Sequence, residues 1–201
     1  TRTILNNGLQ VDADLFLLCA IFRGYLDKFL DKRWASIEGG KHEKGKRLTG
    51  QGMTPVFHSA RFAAALSAVA GINPEDAPRR ANSASLQFNE SETAILVNHN
   101  NDLWHYDVAG GVLKRLTNSK DEEKEADYSP DGKWVSFVRK NDLFVVEIAR
   151  AREKQLTRDG SDRVHNGYLV WVYEEELYGR GQNRGYWWSP DETRIAYTCV
   201  D

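Results

Sequence analysis

Three consecutive carboxylates, Glu174, Glu175 and Glu176, stand among large apolar and aromatic residues in the segment Trp171–Tyr178 (WVYEEELY). Crowded carboxylates repel one another, and a cationic partner relieves that repulsion. An ammonium ~4 Å from one carboxylate gains on the order of 4 kcal/mol at an effective dielectric of about 20, before desolvation is subtracted. Neighbouring residues on a helix project about 100° apart. Two adjacent glutamates therefore converge on one cation only where it sits between them, as at a short helical turn lining a cavity. Amine binding is one chemistry open to this cluster. A solvated acidic turn paired with Arg180 and Arg184 is the other, and from spacing alone it is the simpler reading.

Other chemistries find less support. The five histidines (His42, His58, His99, His105 and His165) show no metal-ligand spacing, and His105 between Trp104 and Tyr106 reads as a strand residue. Gly179-Arg180-Gly181 lacks the preceding strand and following helix of a phosphate loop. With only Cys19 and Cys199, the chain has neither a disulfide framework nor a Cys-rich metal site, and two free buried thiols are expected. Lys plus Arg number 27 against 29 Asp plus Glu. That balance lacks the basic excess of a nucleic-acid binder. The stretch nearest to a membrane segment, Leu15–Phe22 (LFLLCAIF), falls far short of the ~20 apolar residues that cross a bilayer. It follows Asp12 and Asp14 rather than basic residues, so it is also a poor signal peptide and reads as a core strand or short helix.

The elements that must position the glutamates are organised by an internal repeat. Leu86–Thr117 superimposes without gaps on Ala126–Thr157 at a constant offset of 40 residues. Asn101-Asp102-Leu103-Trp104 falls on Asn141-Asp142-Leu143-Phe144, and Lys114-Arg115-Leu116-Thr117 on Lys154-Gln155-Leu156-Thr157. A third copy opens with Trp188-Ser189-Pro190-Asp191 against Tyr128-Ser129-Pro130-Asp131, now at an offset of 60. The extra half-repeat between copies two and three contains the glutamates.

Each copy reads as short strands. Ser129-Pro130-Asp131-Gly132 is a turn, Lys133–Arg139 a half-buried strand, Asn141-Asp142 a second turn and Leu143–Ile148 the next strand. Ala149–Glu153 turns again, and Lys154–Thr157 opens the last strand. Repetition of three or four strands every ~40 residues predicts β-propeller blades. The fold expected is mainly β: about three blades of an incomplete ring, a short helical region near the N-terminus and a small helical insertion carrying the glutamates.

Residues 1–80 are less regular. Asp31–Thr49 reads as a degenerate blade, with Arg33–Ile37 as a strand and Gly39-Gly40 as a turn. Arg61–Ala70 reads as a helix burying Phe62, Leu66 and Val69, with Gly71 to cap it. Pro74 and Pro78 read as a linker, and Asp121–Glu125 (DEEKE) as a solvated loop between blades. Two domains follow: 1–80, irregular, and 81–201, propeller blades.

The segment WVYEEELYGRGQNRGYWWSPDETRIAY resembles the N-terminal propeller of the dipeptidyl peptidase IV family of serine peptidases, in the prolyl oligopeptidase clan. The matching residues are Trp171-Val172-Tyr173, Glu175-Glu176, Trp187-Trp188-Ser189-Pro190-Asp191 and Ile195-Ala196-Tyr197. The upstream blades, NDLWHYDVAGGVLKRLT and YSPDGKWVSFVRKNDLFVVEI, look like the bacterial members especially. The resemblance implies that Glu175 and Glu176 bind the free α-amino group of a peptide, with Trp171 and Tyr173 lining the site. Glu174 aligns with a variable position and takes no role. Val170 departs from the Asp that many relatives carry before the Trp. No Arg lies between Ile95 and Trp104, so no substrate-binding arginine is carried over from that region.

The same resemblance implies a C-terminal α/β-hydrolase domain carrying a Gly-x-Ser-x-Gly nucleophile elbow. This sequence contains no such elbow, and the chain is expected to be a fragment that stops before the hydrolase domain and holds no catalytic residue. The implied function is removal of N-terminal dipeptides, with no cofactor and no metal. The implied partners are peptide or protein N-termini and the hydrolase domain. Unpaired end strands of an incomplete ring would also be covered in a homo-oligomer. Family members are often periplasmic or secreted. The alternative is a non-catalytic propeller scaffold in which the glutamates are structural.

Overall fold

A computed structural model describes residues 2–5, 10–12, 46–49, 52–55, 57–170 and 183–201. The chain divides into two compact units, one comprising Thr1–Asp12, Gln87–Tyr106 and Leu113–Asp201, the other Ala13–Leu86 and Asp107–Val112.

The first unit is built on three four-stranded antiparallel sheets. Sheet one contains β5 (Gln87–Phe88), β6 (Ala94–His99), β7 (Asp102–Asp107) and β8 (Val112–Arg115). Sheet two contains β9 (Glu123–Tyr128), β10 (Trp134–Arg139), β11 (Asp142–Glu147) and β12 (Arg152–Gln155). Sheet three joins β14 (Tyr186–Trp188) and β15 (Arg194–Tyr197) to β1 (Arg2–Leu5) and β2 (Gln10–Asp12), in the order β14-β15-β1-β2. The fold is mainly β, and these sheets are consistent with part of a β-propeller. The N-terminal stretch, read above only as irregular, thus lends β1 and β2 to the third sheet, with Ile4 opposite Ile195. A smaller ribbon pairs β13 (His165–Asn166) with β16 (Cys199–Val200).

The 40-residue offset reappears as backbone geometry. Asn100 and Asn101 turn with positive φ between β6 and β7, and Lys140 and Asn141 do the same between β10 and β11. Two consecutive left-handed residues match the twist of the flanking strands, which is why such hairpins favour them. Glu92, Gly132 and Glu192 take positive φ at the fourth position of the three other turns. In each of those turns the first residue's side chain accepts a bond from the N–H five residues on: Asn89 from Ala94 at 3.0 Å, Ser129 from Trp134 at 3.0 Å and Ser189 from Arg194 at 3.0 Å. A second repeated tie closes sheets one and two. Thr117 Oγ1 accepts the Leu103 N–H at 2.8 Å, and Thr157 Oγ1 accepts the Leu143 N–H at 2.9 Å.

Sheet two is buried on both faces. Val135, Phe137, Phe144 and Val146 pack with Ala94, Leu96 and Leu103 of sheet one. Val138, Leu143 and Val145 pack with Tyr186, Trp188, Ile195 and Tyr197 of sheet three. The strand Lys133–Arg139, expected to be half-buried, is therefore covered on each side, because a sheet stacks against each face.

Three other expectations are corrected. Residues 123–125 of the charge run belong to β9 rather than to a solvated loop, and Glu123 is 1% exposed. Its burial is made tolerable by Thr117 and Arg139, which lie in other parts of the chain. The last strand of copy two is Arg152–Gln155, so Lys154–Thr157 closes it rather than opening it. Pro78 starts a short helix, α2 (Ala77–Ala81), instead of belonging to a linker, since proline suits a first helical turn.

The second unit contains α1 (Ser59–Ser67), which buries Phe62, Ala63 and Leu66 and packs on α2. α1 ends earlier than the predicted Ala70. Ala68 caps it, and Gly71, with φ +87°, serves the turn that follows. β3 (Lys46–Thr49) and β4 (Gly52–Pro55) form a hairpin. Arg33–Ile37, Gly39-Gly40 and Leu15–Phe22 lie outside the described residues.

Candidate functional site

Glu175, Glu176, Tyr173 and Trp171 also lie outside the described residues, as does the helical insertion expected to carry them. The structure describes the two chain ends that hold this segment and what they are fastened to.

The ends meet in a narrow neck. Gly167 N–H donates to Thr198 O at 2.8 Å, Gly185 N–H to Gly167 O at 2.9 Å and Thr198 N–H to Gly185 O at 2.8 Å. Tyr168 and Arg184 then face each other in an antiparallel bridge. Leu169 N–H donates to Asn183 O at 2.7 Å, and the Asn183 amide returns a bond to Leu169 O at 2.9 Å. Glycine is required at both crossing points. Gly167 has φ +74°, and a Cβ on Gly185 would lie 2.4 Å from Thr198 Oγ1.

Side chains fasten the neck to β9. The Arg184 guanidinium forms an ion pair with the Asp127 carboxylate. The Lys124 ammonium lies 5.4 Å from the centre of the Tyr168 ring, a cation–π arrangement. β9 carries a bulge where Glu125 takes φ +52° and the register with β10 shifts. The bulge turns the Glu125 carbonyl toward the Tyr186 hydroxyl, which also lies 3.0 Å from Ser136 O. Burial pushes the Tyr186 phenol above its ordinary pKa, so it stays neutral and able to donate. The Trp188 indole N–H donates to Ser136 Oγ at 2.9 Å, completing the floor beneath the neck.

Asp127 is held from a third direction. Gln87 Nε2 of β5 donates to Asp127 Oδ1 at 3.2 Å and to Ala126 O at 2.8 Å. The Tyr128 N–H donates to the same Oδ1 at 3.0 Å. One carboxylate oxygen is thus oriented by sheet one and its own strand, while the other faces Arg184.

Among the described residues, no group of three or more His, Cys, Asp or Glu side chains is placed to hold a metal ion. His105 is a strand residue as expected, its Nδ1 2.9 Å from the Tyr128 hydroxyl. Sequence reasoning missed Asp127, Gln87, Lys124 and Tyr168. Arg184 it assigned as a counter-charge for the acidic turn. The one signal within reach was the polar run of β9 between two apolar repeats.

Residues 80–201 match the family model described as the dipeptidyl peptidase IV (DPP IV) N-terminal region. The chain belongs to that family. Among relatives of this DPP IV domain is a Podospora anserina protein described as probable dipeptidyl-aminopeptidase B. It is 34% identical over 96 residues, covering 47% of this chain and 10% of that protein. Dipeptidyl aminopeptidase A of Saccharomyces cerevisiae is 33% identical over 72 residues, covering 36% of this chain and 8% of that protein. The matched region thus spans about a tenth of these relatives. The crystal structure of Porphyromonas gingivalis dipeptidyl peptidase 4 aligns with a TM-score of 0.49 and 23% identity, over 76% of this chain and 22% of that one.

Proposed function

We propose that this chain is the N-terminal propeller portion of a serine-type dipeptidyl peptidase of bacterial type, and that Glu175 and Glu176 bind the α-ammonium of the substrate peptide. Trp171 and Tyr173 line that site. Holding the amine at a fixed distance from a nucleophile on a C-terminal α/β-hydrolase domain sets cleavage after the second residue. The residues divide into domains at 80/81.

The observation that supports this reading is the pairing of Arg184 with Asp127. The solvated-turn alternative needs Arg180 and Arg184 as counter-charges, and Arg184 is engaged by β9 instead. With Arg184 engaged by β9, the solvated-turn alternative loses one of the two counter-charges it calls for. The neck supports it too, because a purely solvated turn has no need of fastening to two sheets.

Binding to the chain itself tests the proposal. Trialanine and N-acetyl-trialanine differ only in the cation at the N-terminus, and NMR titration gives a Kd for each. Hydrogen bonds to charged groups contribute about 1.5–3 kcal/mol, so the free amine should bind at least about tenfold more tightly. Glu175→Gln and Glu176→Gln should each erase most of that preference, and Glu174→Gln should not. Equal affinity of wild type for both peptides would sink the amine site and favour the scaffold alternative.

A further inference from the structure

We infer that Asn166-Gly167 is a self-modifying step in the backbone: deamidation of Asn166 is held off by the fold, proceeds when the neck opens, and then bars the neck from closing again.

The reaction needs only this dipeptide and water. The Gly167 nitrogen attacks Asn166 Cγ, a C–N bond forms and the Cγ–Nδ2 bond breaks. Ammonia leaves with the proton that the Gly167 nitrogen gives up, and a five-membered imide remains. Water then opens the imide at either of its carbonyls, giving an aspartyl or an isoaspartyl group at position 166. No oxidant or reductant takes part. Glycine makes the step reactive, because it puts no side chain beside its nitrogen and lets the backbone turn freely. The sequence has one other such dipeptide, Asn7-Gly8.

The fold blocks each requirement of this chemistry. The nucleophile is engaged: Gly167 N–H donates to Thr198 O at 2.8 Å. The attacked amide is engaged as well. Asn166 Nδ2 donates to Asp159 Oδ1 at 2.8 Å and to Asp142 Oδ1 at 3.3 Å, while Asn166 N–H donates to Asn141 O at 2.9 Å. The tetrahedral intermediate would place negative charge on Asn166 Oδ1. That oxygen is buried without a hydrogen-bond donor, and Asn166 is 0% exposed. Charge developing there meets neither a donor nor water, the reverse of an oxyanion hole. The two carboxylates bonded to Nδ2 add repulsion. Breaking the bond to Thr198 frees the nitrogen and admits water to the oxygen.

The product does not fit the place its parent left. An aspartyl group at position 166 sets a third carboxylate where the amide now donates to two, in a site closed to water. Asp142 is held there by Thr157 Oγ1 at 2.7 Å and by Gly160 N–H at 3.0 Å. The isoaspartyl product instead lengthens the main chain by one carbon, within a ribbon that sets His165 opposite Val200 and Asn166 opposite Cys199. A reversible opening thereby becomes a permanent one, and the neck keeps a chemical record of having opened.

Peptide mapping by mass spectrometry tests this on the whole chain, with one sample kept in buffer at neutral pH and another in concentrated urea. In urea Asn166 should deamidate at a rate similar to that of Asn7. In buffer Asn166 should react about a hundredfold more slowly than in urea, because the rate scales with the fraction of molecules in the open form. Asn166→Asp should lower the midpoint of urea unfolding at neutral pH or prevent folding there. Equal rates for Asn166 in buffer and in urea overturn protection by the fold. Slow conversion of Asn166 beside fast conversion of Asn7 in urea overturns its intrinsic reactivity. An Asn166→Asp chain as stable as wild type overturns the barred return.

Discussion

The buried carboxyl of Glu123 should make the chain less stable as pH rises, the reverse of an ordinary ion-paired acid. Thr117 Oγ1 donates to its Oε2 at 2.6 Å and Arg139 to its Oε1 at 3.1 Å. Burial nevertheless outweighs both and raises its pKa from 4.5 to about 7. Arg139 is shared: it also pairs with Glu153, which divides its charge between two carboxylates. A group whose folded pKa is raised binds its proton more tightly in the folded chain than in the unfolded one. Its stabilisation is complete below pH 4.5 and is lost as pH rises to about 7. At about 1.4 kcal/mol per pH step of one, the loss totals about 3 kcal/mol. Glu123→Gln keeps an acceptor for Thr117 and cannot titrate. Urea unfolding at pH 4.5, 6 and 8 should show the difference between wild type and variant shifting by about 3 kcal/mol, with wild type relatively favoured at the acid end. A shift of the opposite sign would refute the reasoning, because it would mean that the Arg139 ion pair prevails over desolvation. So would parallel curves.

Two further outcomes concern the repeat itself. Thr117→Val and Thr157→Val each strand the N–H of a buried leucine, and both should cost about 1–3 kcal/mol in chemical denaturation. Near-equal losses are expected because the two bonds differ by only 0.1 Å. Gly132→Ala should lower stability by about 1–2 kcal/mol in the same assay, because φ is +69° there and the new Cβ would lie 3.1 Å from Asn89 Nδ2.

The gapless 40-residue offset made most of the fold legible. It located the turns at Ser129–Gly132 and Asn141-Asp142 and the two central strands of copy two before any pairing was known. The strands it misjudged are those without apolar alternation. Arg152–Gln155 is an outer edge strand with its first three residues exposed, so its residues bear no mark of burial. Glu123 carries the opposite lesson: a charge in a run of charges reads as solvated, and only the fold brings Thr117 and Arg139 to it. β1 pairs with β15 across nearly the whole chain, and no local pattern announces a partner so distant. For the candidate site, spacing alone favoured a solvated turn, and family resemblance named Glu175 and Glu176. Asp127 was invisible to both, since its importance lies in Arg184, which is 57 positions away.

The hydrogen-bonded neck also explains why the third copy can fall at an offset of 60 while the first two keep 40. Once residues 167–169 and 183–185 are tied, whatever lies between them is a closed loop hung on the sheets. The entropy of closing such a loop grows only logarithmically, by about 0.6 kcal/mol for each doubling of length. Sequence can therefore be added, removed or exchanged beyond the knot at little thermodynamic cost. The registers of sheets two and three need not change. The neck is a socket, and stretches of sequence of different lengths can be fitted to one unchanged set of sheets.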